Sequence, residues 1–164
     1  MEEMFYYSQA TTLDLSSFDT SNVTDMCSMF SDSTATSIDL SSFDTSNVMN
    51  MRDMFSFSHA ITLDLSNFDT SKVKDMGSMF INSQATTLDL RSFDTSNVTY
   101  MNSMFRNASV TSLDLSSFDT SKVTNIGYMF YGSKATIGYA RTQGDADKFN
   151  ASTGKPSGLT FIVK

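Results

Sequence analysis

Tryptophan is absent from the 164 residues, and proline, cysteine and histidine occur once each. The single cysteine, Cys27, excludes an intrachain disulfide. The single histidine, His59, stands in a chain with no H-E-x-x-H, no G-x-S-x-G and no glycine-rich phosphate loop. Hydrolytic and phosphoryl-transfer chemistry thus lack their usual groups, and no enzymatic activity is expected. No apolar run approaches about 18 residues, so no segment is expected to insert into a membrane. The opening MEEMFYYSQA lacks the basic start and apolar stretch of a signal peptide, so any export signal or anchor is expected outside this chain. Lysine and arginine are missing from residues 1–50, which hold eight acidic residues, whereas residues 51–164 hold ten acidic and eleven basic ones. The net charge of −7 leaves too few clustered cations to displace counterions from nucleic acid or to adsorb to anionic lipid. Neither is expected as a partner.

What the chain has instead is repetition. The run LDLSSFDTSNV at Leu13–Val23 returns at Ile38, Leu63, Leu88 and Leu113 with one or two changes, a period of 25 residues without insertion. Leucine recurs at Leu15, Leu40, Leu65, Leu90 and Leu115, and phenylalanine at Phe18, Phe43, Phe68, Phe93 and Phe118. Methionine recurs at Met29, Met54, Met79, Met104 and Met129, followed each time by phenylalanine from Phe30 to Phe130. Met1, Met4 and Phe5 fit the same columns, so the chain begins inside a repeat. The methionine stripe reads as core, where sulfur packs against aromatic rings.

The L-x-L alternation predicts a short strand with both leucines facing one way. From Val23 to Phe30 the apolar residues fall at i, i+3, i+6 and i+7, which predicts a helix of about three turns. Asp19 or Ser21 is its expected N-cap. A strand and a helix in so short a unit bury nothing alone but bury a core when neighbours pack together. The expected fold is therefore an α/β solenoid: a leucine-rich-repeat-like, right-handed stack with a parallel sheet on one face and helices on the other. It is expected over residues 1–135. Residues 136–164 lose the repeat and are expected to close its C-terminal end, with strands at TIGYAR and LTFIVK, a short helix at DADKFNA and a turn at Gly154–Gly158.

The frame LDLSSFDTSNVTDMCSMF followed by TSIDLSSFDTSNV resembles the BspA-like leucine-rich repeat surface proteins of bacteria, over about residues 1–135. The tail TQGDADKFNAS…PSGLTFIVK is similar to the closing segment of that family. The resemblance implies an extracellular or cell-surface location and a role in adhesion or contact, not catalysis. Shared fold would leave the ligand open.

Ten of the eighteen acidic residues fall in two columns, Asp14, Asp39, Asp64, Asp89 and Asp114, and Asp19, Asp44, Asp69, Asp94 and Asp119. The first column sits between two inward leucines, so its side chains are expected to point outward. Thr12, Ser37, Thr62, Thr87 and Ser112 flank it on one side, and Ser16, Ser41, Ser66, Arg91 and Ser116 on the other. Such a ladder is either a solvated face or a surface for cations, with calcium or a Lys/Arg-rich segment as occupant. No EF-hand spacing or nonapeptide calcium repeat accompanies it, and no other cofactor is expected. The second column reads as helix caps. Columns outside the core drift between copies, and Tyr6, Tyr7, Phe57, Tyr100, Tyr128 and Tyr131 fall in them as exposed aromatics suited to protein contact. Cys27 and His59 also stand in drifting columns. The expected function is a non-catalytic surface module that contacts a protein or cell-surface ligand. The alternatives are a mechanical spacer without a ligand and a cation-binding array.

Overall fold

The computed structural model describes all residues, Met1–Lys164. It overturns the expected α/β solenoid of leucine-rich-repeat type. The repeats contain no helix at all, and the parallel pairing is fragmentary. Two small sheets form, β1 (Thr12–Leu13) with β2 (Ser37–Ile38), and β3 (Ser112–Leu115) with β4 (Ile137–Ala140) and β5 (Thr160–Val163). The one helix, α1, spans Gln143–Asn150, outside the repeats.

The physical reason lies in where the backbone donors go. A helix keeps its N–H bonds within itself. Where the helix is expected, the N–H groups of Met26, Ser28, Phe30 and Asp32 instead donate to the carbonyls of Asn50, Arg52, Met54 and Ser56 in the next copy. Those of Met29, Ser31 and Ser33 turn back to the carbonyls three residues earlier. Ser28 and Asp32 hold left-handed backbone, with φ of 53° and 56°. Both columns keep this conformation down the chain, through Asp53, Ser78, Ser103 and Tyr128, and through Phe57, Asn82, Asn107 and Gly132. Two left-handed residues four apart exclude a helix. Asn, Asp or Gly, which tolerate this region, fill five of these ten positions, and bonds to the next copy hold Ser28, Ser78, Ser103 and Phe57 in it as well. Single-residue parallel bridges at Asp25, Asn50, Asp75, Tyr100 and Asn125 run through the same segment. Neither Asp19 nor Ser21 is a helix N-cap.

The L-D-L segments fall short of a sheet for a related reason. Asp14 Oδ1 accepts the N–H of Ser16, and the Phe18 N–H returns to the Leu15 carbonyl, so the chain bends directly after the leucines. Pairing of β1 with β2 stops before Asp14 and Asp39 would face one another. Four-residue pairing is reached where Asp114 meets Tyr139 of β4 rather than another aspartate.

Burial follows the apolar columns. Leu40, Leu65, Leu90 and Leu115 are buried, as are Met51, Met76 and Met101, and Met54, Met79, Met104 and Met129. Phe5, Phe30, Phe55, Phe80, Phe105 and Phe130 form one file of near-parallel rings with centroids 5.5–6.0 Å apart. The D-T-S run supplies a second tie between copies. Thr45, 1% exposed, donates its hydroxyl to the Asp69 carbonyl and accepts the Asp69 N–H. Thr20 and Thr95 make the same double contact with Asp44 and Asp119, and Thr70 donates to the Asp94 carbonyl.

The last copy meets side chains of the C-terminal segment where another copy would otherwise be. Thr120 gives both its N–H and its hydroxyl to buried Asp145 of α1. Lys148 donates to the Thr120 and Val123 carbonyls, and Ser152 to that of Ile126. Phe149 and Phe161 end the phenylalanine file against Phe130. The side-chain amide of Asn150 bonds both backbone groups of Phe161 on the outer edge of β5. Gly138 is required here, because a Cβ would lie 2.4 Å from the Phe161 ring.

Candidate functional site

Asp14, Asp39, Asp64 and Asp89 are exposed and Asp114 is half-buried, along one face of the molecule. Each uses Oδ1 to accept the backbone N–H two residues on, at Ser16, Ser41, Ser66, Arg91 and Ser116. This contact fixes the carboxylate plane and leaves Oδ2 outward. In two of the five copies a basic side chain of the same protein occupies that oxygen. Arg91 forms a fork on Asp89, and Lys164 at the end of β5 reaches Asp114. Asp14, Asp39 and Asp64 have no basic partner. An open groove of about 830 Å³ runs along the face, lined by Asp39, Asp64, Asp89 and Asp114 together with Ser37, Thr62, Thr87 and Arg91.

These hydrogen bonds hold the carboxylates in their charged form. The Ser16 hydroxyl and N–H lower the pKa of Asp14, the Ser41 N–H and hydroxyl that of Asp39, and the Ser66 hydroxyl and N–H that of Asp64. The Arg91 side chain takes Asp89 down to about 2. For Asp114, burial acts upward but is outweighed by Lys164 and Ser116, and the net shift is downward. The face therefore stays ionised at any physiological pH. Its chemistry is that of fixed anionic acceptors, and no three His, Cys, Asp or Glu side chains converge as a set that could hold a metal ion.

The second aspartate column makes the same local contact as the first. Asp19, Asp44, Asp69, Asp94 and Asp119 accept the N–H of Ser21, Ser46, Ser71, Ser96 and Ser121. A third such column, which drifts between copies in the sequence, makes this contact too: Asp25, Asn50, Asp75 and Asn125 accept the N–H of Cys27, Arg52, Gly77 and Gly127. The shared signal is an Asx residue two positions before a turn donor. Tyr100 breaks that column and is exposed.

The aromatic candidates are exposed but do not form one patch. Tyr6 and Tyr7 pair at the N-terminal end, with centroids 6.1 Å apart. Phe57, in the same left-handed column as Tyr7, pairs with no other ring. Tyr128 and Tyr131 form an edge-to-face pair 6.2 Å apart, and the Arg106 guanidinium lies beside both rings, in a column that drifts between copies. Tyr131 also packs on Gly154, where a Cβ would lie 2.5 Å from its ring. Cys27 is half-buried, and burial raises its thiol pKa, which disfavours the thiolate.

The geometry defines a repeat protein whose Asx columns close turns within each copy, while the D-T-S threonines and the phenylalanine file tie one copy to the next. Residues 1–89 and residues 55–139 each match the family described as Mycoplasma protein of unknown function, DUF285, and the chain belongs to that family. No curated protein and no solved structure matches it. No helix is long and apolar enough to cross a membrane.

Proposed function

We propose that the chain is a non-catalytic module of a bacterial cell surface, and that it contacts a protein or cell-surface ligand through its Thr/Asp/Ser face. The surface location rests on the resemblance of its repeat to BspA-like surface proteins. The observation that carries the contact reading is the state of the Asp column. Oδ1 is held by the turn in all five copies, while Oδ2 meets Arg91 and Lys164 in two and no base in Asp14, Asp39 and Asp64. A basic segment supplying Lys or Arg side chains at the spacing of the copies fits the remaining three. Charge of this kind contributes to encounter rate and selectivity more than to raw affinity, so binding should weaken with salt.

The test is binding of the isolated chain to host matrix proteins and whole cells, beside an Asp14/Asp39/Asp64→Asn variant. Loss of binding in the variant supports the reading. Equal binding by both would move the contact to another face, and no binding by the parent would favour a spacer without its own ligand. A calcium titration of thermal stability separates the cation-binding alternative, which requires a calcium-dependent rise in Tm.

A further inference from the structure

The chain has four arginines, and three pair with carboxylates: Arg52 with Asp53 and Asp75, Arg91 with Asp89, and Arg141 with Asp119 and Asp145. Arg106 is the exception. Its guanidinium takes part in no ion pair and its side chain donates no hydrogen bond. It lies instead 5.2 Å from the ring centre of Tyr131 and 6.0 Å from that of Tyr128. No buried side-chain nitrogen in the protein lacks a partner, so the unused donors of Arg106 face solvent. Both tyrosines are about half exposed, at 50% and 44%.

The surroundings are as unusual as the pairing. The chain as a whole is acidic, yet residues 101–113 and 120–144 contain no Asp or Glu, and Lys134 stands one copy beyond Ser109 on the same edge. An arginine packed beside aromatic rings loses less freedom on binding than a free one, and its fork matches a carboxylate at two points. Tyr and Arg are also the residues that most often dominate protein contacts.

We infer that Arg106, Tyr128 and Tyr131 form a docking point for an acidic segment of a partner protein, with a Glu or Asp carboxylate seated on the guanidinium beside the two rings. This site lies apart from the Asp face and takes the opposite charge, so it stands or falls independently of the proposed function. Charge complementarity selects the occupant: the guanidinium is uncompensated, and residues 101–113 and 120–144 bear no acid that would repel an incoming one.

The probe is a Glu-rich octapeptide, with a Lys-rich octapeptide as control, titrated into the full chain and followed by backbone amide shifts. Shifts at Arg106, Tyr128 and Tyr131 are expected with the Glu-rich peptide. Affinity should fall about tenfold or more in Arg106→Gln, the loss expected for a charge-assisted contact. Arg52→Gln, which removes an arginine already paired with Asp53 and Asp75, should bind as the parent does. Arg106→Lys separates a bidentate site from simple charge, because it keeps the charge and should recover little of the loss. Equal binding by Arg106→Gln, or absence of shifts at these residues, overturns the inference. So does saturation of the site by inorganic phosphate or dextran sulfate with no response to the peptide, or Arg106-dependent self-association in place of peptide binding.

Discussion

Replacing Thr45 by valine changes one oxygen for a methyl group of nearly the same volume. In the folded chain that oxygen accepts the Asp69 N–H at 2.8 Å and gives its proton to the Asp69 carbonyl at 3.0 Å. Its side chain is 1% exposed, so water cannot take its place without a rearrangement. Two hydrogen bonds contribute about 1 kcal/mol each, and leaving their backbone partners unsatisfied adds about 1 kcal/mol or more, for a loss of about 3 kcal/mol. For a chain of this length, that lowers Tm by about 6–12 °C. Thr45→Ser keeps the hydroxyl, loses one methyl group and should cost about 1 kcal/mol. The assay is urea and thermal unfolding of the three proteins, followed by circular dichroism. If the valine protein matches the serine protein, the hydroxyl does not bridge successive copies, and the constancy of threonine in the D-T-S run needs another explanation.

The remaining expectations concern the core file, the C-terminal contact and the acidic face. Phe80→Ala removes a fully buried ring stacked on both sides and should destabilise by about 3–5 kcal/mol in the same unfolding assay, with Phe80→Leu milder. For Asp145, burial acts upward but is outweighed by bonds from Thr142, Thr120 and Arg141, leaving its carboxyl below the ordinary value. Its stabilisation should be complete above the unfolded value of about 4 and be lost as pH falls through the lower folded value. An acid titration of stability should therefore flatten in that range in Asp145→Asn. Arg91→Ser restores the residue found in the other four copies. It should raise the Asp89 pKa from about 2 towards the values of its neighbours in the column, as read from carboxyl carbon shifts.

The apolar columns and the helix and strands of the closing segment were legible because burial leaves a direct trace in the pattern. Leu65, Met76 and Phe80 are buried where the period places them, and Ala146 and Phe149 are buried in α1. The conformation of Val23–Phe30 was not legible from apolar spacing alone. The spacing i, i+3, i+6, i+7 fits a helix, but it also fits successive three-residue turns whose other donors reach the next copy. The polar residues carried the deciding signal: Ser, Asp and Asn recur at the left-handed positions and compete with helix formation. The same class of contact explains the Asp columns. Sequence alternation placed Asp14 outward and cast Asp19 as a helix cap, whereas both form the same short-range turn. What distinguishes the columns is the far oxygen, and its partners Arg91 and Lys164 come from one variant position and from the chain's far end. Arg106 was illegible for a similar reason, since its tyrosines lie one copy away and its significance is the lack of an acid partner.

The most direct measurement follows the carboxyl carbons of all ten column aspartates while a Lys-rich peptide is added at low salt. The proposed contact predicts shifts at Asp14, Asp39 and Asp64, little change at Asp89 and Asp114, and reversal with added salt. A uniform small shift across both columns, or none at the three free carboxylates, would contradict a basic ligand on this face.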